Sequence, residues 1–265
     1  MTEERITSRK NPFVRHLVRL GGDRDYRRET GEYLAEGTKL YLDALEAGVE
    51  ITAVASLPEG APPLPEEARF VTLPPDVFSA ASTQKTPQGL LFTARLPDSR
   101  PPVRLPAASA ILLDGVQDPG NVGTVVRTAA AFGVRTVLLT GDSADPFSPK
   151  TVRASMGGLF RTAVIVASRA ELLALLARSS MRLLAAEPDG GASVDIRSAS
   201  LENACVAVGS EGRGVSEEIR LAAEGALRIP MAAGSESLNA AMSAGILLWE
   251  MAKQSGFLEE TICRN

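Results

Sequence analysis

A single histidine, two cysteines and the lack of any long apolar run narrow what this 265-residue chain can be. Ser-His-Asp hydrolysis needs an imidazole base and zinc proteolysis needs two or three imidazole ligands. The only histidine is His16, which argues against both classes of enzyme. Cys205 and Cys263 are too few for a disulfide framework or a metal cluster. A P-loop nucleotidase is disfavoured because no G-x-x-x-x-G-K-[ST] segment is present.

No apolar run approaches the length of a membrane span, about 18 residues or more, and the first residues, MTEERITSRKNP, lack an apolar stretch after their charges. We therefore expect a cytoplasmic protein that contacts no membrane and holds no metal. The composition, 45% hydrophobic and 23% charged, is that of an ordinary globular chain. The length predicts one large domain or two modest ones.

Charge is distributed unevenly although the net charge is only −4. Between Arg5 and Arg28 there are eight basic residues and two acidic ones, a local balance of +6, whereas the remainder of the chain is acidic. A basic face on an acidic body suits an RNA partner that is held at one place. An ordinary solvated helix face is the alternative for the same stretch.

Prolines mark a boundary, because eleven of the seventeen fall between residues 58 and 106. The stretch LPDSRPPVRLPAA is expected to form a semi-rigid linker, since proline fixes φ and lacks a backbone donor. We predict an N-terminal domain at 1–97, a linker at 98–107 and a C-terminal domain at 108–265. The first domain mixes helical periodicity with short β-like runs and is predicted to be a small α/β domain.

Strand and helix patterns alternate regularly after the linker. The apolar, often β-branched strand segments predict a parallel sheet covered on both faces. Strands are predicted at 108–114, 135–141, 163–168, 181–187 and 204–210, and helices at 121–132, at 169–180 and from near Ser237 onward.

Glycine-rich segments follow three of the strands without forming a common nucleotide motif. Gly115, Gly120 and Gly123 do not have the G-x-G-x-x-G spacing of a dinucleotide site, which disfavours a small-molecule Rossmann enzyme. The chain instead contains N-x-G-x-x-x-R-T-A at 121–129, G-x-E-G-x-G-V-S at 209–216 and I-P-M-x-x-G-x-x-S-L-N at 229–239.

In this order and spacing, the three motifs resemble the signature motifs of the SpoU (TrmH) family of RNA ribose 2′-O-methyltransferases, within the SPOUT superfamily. The segments 148–161, 27–40 and 83–92 extend the resemblance over nearly the whole chain. It implies an α/β fold, with a C-terminal parallel-sheet SPOUT domain that contains a trefoil knot and a small N-terminal substrate-binding domain. The implied cofactor is S-adenosylmethionine, with binding residues Gly209, Ile229, Met231 and Leu238.

The resemblance also implies a catalytic set, namely Arg127, Asn121, Glu211, Ser237 and Asn239. Free arginine is a poor base because its pKa exceeds about 12. We therefore favour a hypothesis in which Arg127 clamps a phosphate and stabilises the developing alkoxide, while a phosphate oxygen or water takes the proton. Ser237 and Asn239 are expected to cap the last helix as well.

The expected substrate is structured RNA, with 23S ribosomal RNA as the preferred target and transfer RNA as the alternative. RNA contacts are predicted at Arg9, Lys10, Arg15, Arg19, Arg27 and Lys39. The resemblance implies a homodimer through the C-terminal domain, with Trp249 and Met251 as candidate anchors. Two other activities stay open: a catalytically inactive RNA-binding module of this fold, and methylation of a base instead of a ribose.

Overall fold

The N-terminal part of the chain forms a five-stranded sheet flanked by helices. The computed structural model describes residues 4–58, 62–187, 193–232 and 237–257. The sheet has the order β1-β4-β3-β5-β2, in which β5 is antiparallel to both of its neighbours. Its strands are β1 (Glu4–Arg5), β2 (Glu32–Glu36), β3 (Ile51–Ser56), β4 (Arg69–Thr72) and β5 (Leu90–Arg95), and its helices are α1 (Pro12–Gly22), α2 (Arg24–Thr30), α3 (Thr38–Glu46) and α4 (Pro75–Ala81).

Helix α1 shows why these segments fold as they do. Asn11 caps it by accepting a hydrogen bond from the Phe13 amide at 2.8 Å, and Pro12 occupies the first turn, where a missing N–H costs nothing. The apolar side chains of α1 pack into the core, whereas Arg15 and Arg19 are exposed to solvent. Arg15 and Arg19 of the basic stretch therefore lie on the solvent face of an amphipathic helix.

The C-terminal part forms a seven-stranded sheet in the order β10-β12-β9-β11-β6-β7-β8, and every recorded strand pair in it is parallel. Apolar clusters cover both of its faces. The predicted α/β class with a parallel sheet is confirmed. The strands are β6 (Ala110–Asp114), β7 (Thr136–Thr140), β8 (Ala163–Ala167), β9 (Arg182–Ala186), β10 (Val194–Asp195), β11 (Ala204–Gly209) and β12 (Gly225–Arg228).

Helices α5 (Pro119–Ala131), α6 (Pro149–Ala154), α7 (Arg169–Arg178), α8 (Glu217–Ala222) and α9 (Ala240–Gln254), with a short 3₁₀ turn at Gly158–Phe160, connect these strands. The chain moves outward from β6 to β8, crosses back to β9 and then inserts β11 between β9 and β6. Such a reversal opens a crevice at the carboxyl ends of the strands, where ligands bind in open α/β sheets. The trefoil knot stays a prediction.

The linker is not a free connection between two independent bodies. Its Leu105 is buried and donates its amide to the Ser179 hydroxyl at 2.9 Å, and the Ser99 carbonyl accepts from the Val166 amide of β8 at 2.9 Å. Residues of both sheets also share one apolar cluster, in which the rings of Tyr33 and Phe147 lie 5.7 Å apart. The N-terminal part is therefore packed directly on the C-terminal part.

Within the described ranges, no helix is long and apolar enough to cross a membrane.

Candidate active site

An apolar pocket of about 170 Å³ lies at the carboxyl ends of β9, β11 and β12. Its walls come from the ends of these strands and from the start of α9, so the three strands and the last helix position it together. The residues predicted to bind cofactor all line it: Gly209, Ile229, Met231 and Leu238. Glu211 and Ser237, predicted as catalytic, line it as well.

Gly209 is required by a close backbone approach at the pocket wall. A Cβ atom at Gly209 would lie 1.9 Å from the carbonyl carbon of Gly214, which no side chain tolerates. The chain turns back through a bridge between Ser210 and Gly214, and Gly214 has a φ of +65°. The glycine spacing of this motif thus builds a tight loop that exposes main-chain groups to the pocket.

The pocket wall carries only acidic charge among the described residues that line it. These ionisable residues are Glu187 and Glu211, and the other side chains are apolar or hydroxyl-bearing. Such a wall favours a ligand with a flat apolar part and a positive charge. The sequence reasoning missed Glu187, because it directly follows β9 and belongs to none of the motifs.

Residues from all three motifs meet at the mouth of this pocket. The Asn121 amide donates to the Glu211 carboxylate, and the Asn239 amide donates to the Asn121 side-chain oxygen at 3.3 Å. These contacts join positions about 90 and 118 residues apart in the chain. The carboxylate and the second asparagine therefore fix which way the Asn121 amide points.

The start of α5 presents Asn121 to this cluster. Asp118 caps the helix, because its carboxylate accepts from the backbone N–H of Asn121 at 3.0 Å. The Lys150 ammonium lies 2.9 Å from the same carboxylate. Hydrogen bonding from Lys150 holds the pKa of Asp118 below its ordinary value. Gly123 lets α6 approach, since a Cβ there would lie 2.5 Å from the Ala154 Cβ. The Asp118 cap and the close packing of α6 at Gly123 therefore both fix the position of the start of α5.

Arg127 lies elsewhere on α5. It does not line the pocket of its own chain, it is exposed, and its guanidinium makes no hydrogen bond or ion pair with any described residue. Its backbone packs under Gly158, where a Cβ would lie 2.8 Å from the Arg127 Cα. One chain therefore brings together Asn121, Glu211 and Asn239, but not Arg127.

Ser237 does not cap the last helix, contrary to the prediction. The cap is Asn239, whose side-chain oxygen accepts from the Ala241 amide at 2.9 Å, so α9 begins at Ala240. Asparagine is as good a cap as serine, and the sequence offered both. Ser237 is left exposed at the pocket.

The predicted RNA contacts divide into two groups. Five of them are exposed on the N-terminal part, namely Arg9, Lys10, Arg15, Arg19 and Lys39. Arg27 is different, because it is only 4% exposed and both Nε and Nη2 donate to Asp145, at 3.0 and 2.5 Å. The prediction for Arg27 is wrong: a buried guanidinium already paired with a carboxylate of the C-terminal part has no free donor face for phosphate.

The two predicted dimer anchors also differ. Met251 is 2% exposed and belongs to the chain's own core, so it is unavailable to a partner and that prediction is wrong. Trp249 is 48% exposed, with its ring edge-on to Phe132 at 5.4 Å between centroids. Of the two candidate anchors, only Trp249 therefore leaves apolar surface available to a partner.

Sequence reasoning also missed a polar network under the second motif. Asp114, at the end of β6, accepts from the Ser216 amide at 2.7 Å and from Arg169 Nε at 2.8 Å. A second carboxylate, Asp142, accepts from Arg169 at 2.7 Å, and this hydrogen bond raises the pKa of the guanidinium. A buried aspartate at a strand end, followed by glycine, was the available signal. The network anchors the loop that carries Glu211.

His16 is held between the Tyr26 hydroxyl and the Glu32 carboxylate, each at 2.9 Å, which is a structural arrangement within the N-terminal part. Cys205 is a buried free thiol whose pKa burial raises, and Cys263 lies outside the described residues. In the portion of the chain that the structure describes, no group of three or more histidine, cysteine or acidic side chains is placed to hold a metal ion.

Two family models match the chain. A model described as the SpoU rRNA Methylase family matches residues 108–249, and one described as an MRM3-like substrate binding domain matches residues 11–91. The first covers the strands, the pocket and all three motifs. The second covers most of the N-terminal sheet and its helices.

The chain is similar to curated proteins along most of its length. It is 30% identical to the 23S rRNA (guanosine(2553)-2′-O)-methyltransferase RlmP of Bacillus subtilis, over 94% of this chain and 99% of that protein. It is also 30% identical to the 23S rRNA (adenosine(1067)-2′-O)-methyltransferase of Streptomyces laurentii, over 94% and 96%. A solved structure of an AdoMet-bound rRNA methyltransferase from Sinorhizobium meliloti matches with a TM-score of 0.82 and 29% identity, over 95% and 98% of the two chains.

Proposed function

The chain belongs to the SpoU rRNA methylase family, and from this premise we propose that it transfers a methyl group from S-adenosylmethionine to a ribose 2′-hydroxyl in RNA. One observation carries the proposal: residues of the three motifs meet in a polar cluster at the mouth of an apolar pocket, and the charged residues that line it, among those the structure describes, are both acidic. An electrophilic methyl group and a polar acceptor need these two environments side by side.

The pocket fits S-adenosylmethionine by the chemistry of its walls. Ile229 and Leu238 offer apolar surface to an adenine ring, and the 209–214 loop offers main-chain groups to its polar edge. Glu187 and Glu211 match a ligand that carries positive charge. When bound, this cofactor supplies a methyl group made electrophilic by a sulfonium centre.

Asn121 is proposed to orient the acceptor ribose. Its amide nitrogen is engaged by Glu211 and its oxygen by Asn239, so rotation of the amide would break two contacts. This leaves the amide fixed at the pocket mouth, where it can direct a hydroxyl group toward the pocket. Glu211 and Asn239 then act on the ribose through Asn121, while Ser237 contacts the cofactor or the nucleotide directly.

Arg127 is proposed to supply positive charge to the reacting oxygen. Its guanidinium makes no hydrogen bond or ion pair with a described residue, and arginine side chains in general are poor bases, so it suits charge stabilisation better than proton removal. It clamps the adjacent phosphate and stabilises the alkoxide that develops on the ribose. A phosphate oxygen or water takes the proton.

Arg127 reaches a pocket in this proposal through a homodimer. Met242 and Trp249 leave apolar surface exposed along α9, at 60% and 48%. The strip lies on the helix that packs against α5, since a Cβ at Gly245 would lie 4.0 Å from the methyl group of Thr128, the residue after Arg127. A second copy that covers the strip removes apolar surface from water and brings its pocket to the arginine.

The substrate proposed within this activity is 23S ribosomal RNA in the cytoplasm. The relatives from Bacillus subtilis and Streptomyces laurentii are both named for 23S rRNA. Transfer RNA is the alternative, and the assay below distinguishes the two.

The test incubates the purified protein with methyl-labelled S-adenosylmethionine and total RNA from a strain that lacks its gene. Labelled RNA species are separated, digested to nucleosides and analysed by mass spectrometry. We expect one 2′-O-methylated nucleoside from 23S RNA, and labelling slower by about 10²–10³-fold with Arg127→Ala. Label on a base would contradict the ribose assignment, and label in transfer RNA would redirect the substrate. Cofactor binding without label in free RNA or in ribosomal subunits would favour the inactive RNA-binding module.

A further inference from the structure

A cleft separate from the cofactor pocket lies between the two parts of the chain. Arg95 and Pro97 belong to its N-terminal wall. Its other wall includes Arg135, which directly precedes β7, and residues 159–164, which lead into β8. The cleft is therefore at the amino ends of these strands, whereas the cofactor pocket is at the carboxyl ends of others.

Two arginines of the cleft make no direct ion pair with a described residue. The acidic residues that line it are already paired: Glu50 accepts from Arg95 at 3.3 Å and Asp98 accepts from Arg100 at 2.7 Å. Arg135 and Arg161 are exposed, and neither guanidinium makes a direct ion pair or hydrogen bond with a described residue. The Asp43 carboxylate lies near Arg161, since a Cβ at Gly157 would lie 2.9 Å from Asp43 Oδ2 and 3.4 Å from Arg161 Nη2. Two guanidinium groups with open donor positions favour a ligand with a phosphate.

The remaining surface of the cleft suits a planar, partly apolar group. Phe160 is partly buried at its wall, next to Leu159 and Val164. The Thr162 hydroxyl, on a residue that lines the cleft, is buried and has no hydrogen-bond partner among the described residues. An aromatic wall beside cationic groups is the combination that holds an unstacked nucleotide.

The cleft adjoins the catalytic helix. Gly158 touches the Arg127 backbone, and the cleft wall starts at the next residue, Leu159. The same turn approaches the N-terminal part, because a Cβ at Gly157 would lie 2.9 Å from the Asp43 carboxylate. A ligand in the cleft would thus lie on the segment that supports Arg127.

Contacts around the cleft also preform it. Phe147 lines the cleft and packs on Tyr33, and two residues earlier Asp145 is paired with the buried Arg27. Breaking a pair of this kind leaves an uncompensated buried charge, so the two parts are held at one relative position. The cleft therefore needs little rearrangement before a ligand enters.

We propose that this cleft binds a nucleotide of the substrate RNA that neighbours the target ribose. Arg135 and Arg161 bind its phosphate, and its base lies against Phe160. The inference rests on the proposed function for the identity of its ligand. It adds a second RNA site, at the interface of the two parts of the chain, that selects an RNA with an unpaired nucleotide near the methylated position.

The test measures RNA affinity over a series of salt concentrations for the full chain and for Arg135→Ala/Arg161→Ala. We expect the double variant to bind the methylatable RNA at least about fivefold more weakly, with a salt slope shallower by about 2. Arg104→Ala is the matched control, since it removes an exposed arginine that does not line the cleft. Circular dichroism and cofactor affinity, both expected to be unchanged, verify that the double variant is folded.

Photo-crosslinking locates the nucleotide independently of these variants. RNA substituted with 4-thiouridine near the target is irradiated with the wild-type protein, and we expect crosslinks within residues 158–164. Crosslinks elsewhere, with unchanged affinity of the double variant, would overturn the proposal. AMP in place of RNA distinguishes the sources: saturable binding of AMP to the cleft with an affinity equal to or higher than that of the RNA would indicate a free-nucleotide site and overturn the assignment to RNA.

The two levels of proposal fail differently. Loss of the proposed function would appear as no methyl transfer by the wild-type protein to any RNA. Failure of the cleft proposal would leave methyl transfer intact and the double variant indistinguishable from Arg104→Ala in RNA affinity.

Discussion

The carboxyl and amino ends of the seven-stranded sheet carry side chains of opposite charge. At the carboxyl ends, short side chains, main-chain groups and two carboxylates form an apolar pocket. At the amino ends of β7 and β8, Arg135 and Arg161 line an open cleft that faces the N-terminal part. One end suits a cationic cofactor beside the reacting ribose, and the other suits a phosphate of the same RNA at a second site.

The largest effect is expected from the ion pair between Arg27 and Asp145, which joins the two parts of the chain. We expect Arg27→Ala to lower the free energy of unfolding by about 3–5 kcal/mol, because Asp145, whose side chain is only 13% exposed, loses its charge partner. The cofactor pocket should retain its affinity wherever the protein is folded. Chemical denaturation and calorimetric cofactor titration measure the two effects. Arg28→Ala, an exposed neighbour on α2, is the control, and equal stability of the two variants would refute the role of the pair.

Removing the guanidinium of Arg127 from α5 should slow methyl transfer without altering the cofactor pocket or the cleft. Arg127→Ala is expected to lower the single-turnover rate of methyl transfer by about 10²–10³-fold, the usual loss for a preorganised stabilising group. Cofactor affinity should not change, because Arg127 does not line the pocket. Arg127→Lys keeps the charge and separates two roles: a largely retained rate with a lower kinetic pKa would favour proton transfer to this residue.

A smaller effect is expected from the polar cluster at the pocket mouth. Glu211→Ala frees the Asn121 amide and should lower the rate by about tenfold, a typical loss for a hydrogen bond to a charged group. Glu211→Gln keeps an acceptor, so recovery of most of the rate would indicate that orientation of Asn121 is the role. A rate as low as that of Glu211→Ala would instead require the negative charge itself.

The smallest expected effect concerns the exposed face of α1. Arg15→Ala/Arg19→Ala should weaken RNA binding modestly and make its salt slope shallower by about 2, one for each lost phosphate contact. Filter binding over a salt series measures this. Arg220→Ala, an exposed arginine on α8, is the control. Identical slopes for the two variants would remove α1 from the RNA surface.

Much of the carboxyl end could be predicted from the sequence, because its elements lie in short, regularly spaced motifs. The β-branched strands gave the parallel sheet, and the glycines that follow them marked the tight loop at Gly209. Ile229 and Leu238, which the family resemblance assigns to cofactor binding, do line the pocket. Whether they bind the cofactor stays a prediction.

The amino end could not be predicted, because it depends on contacts between distant parts of the chain. Arg27 pairs with a residue 118 positions away, and no local pattern distinguishes it from the exposed Arg28. The same limit applied to Met251, whose burial depends on how α9 packs. Periodicity shows that one face of a helix is buried, but tertiary packing decides which residues at its margin are covered.

Hydrogen exchange, read by mass spectrometry, tests most directly whether RNA contacts the cleft at the amino ends of the strands while the cofactor binds at the carboxyl ends. The protein is compared alone, with S-adenosylmethionine and with an RNA fragment that it methylates. We expect the cofactor to slow exchange at 204–214 and 237–243 and to leave 158–164 unchanged, and RNA to slow exchange at 158–164. RNA protection confined to the carboxyl end, with 158–164 exchanging as in the free protein, would contradict the account.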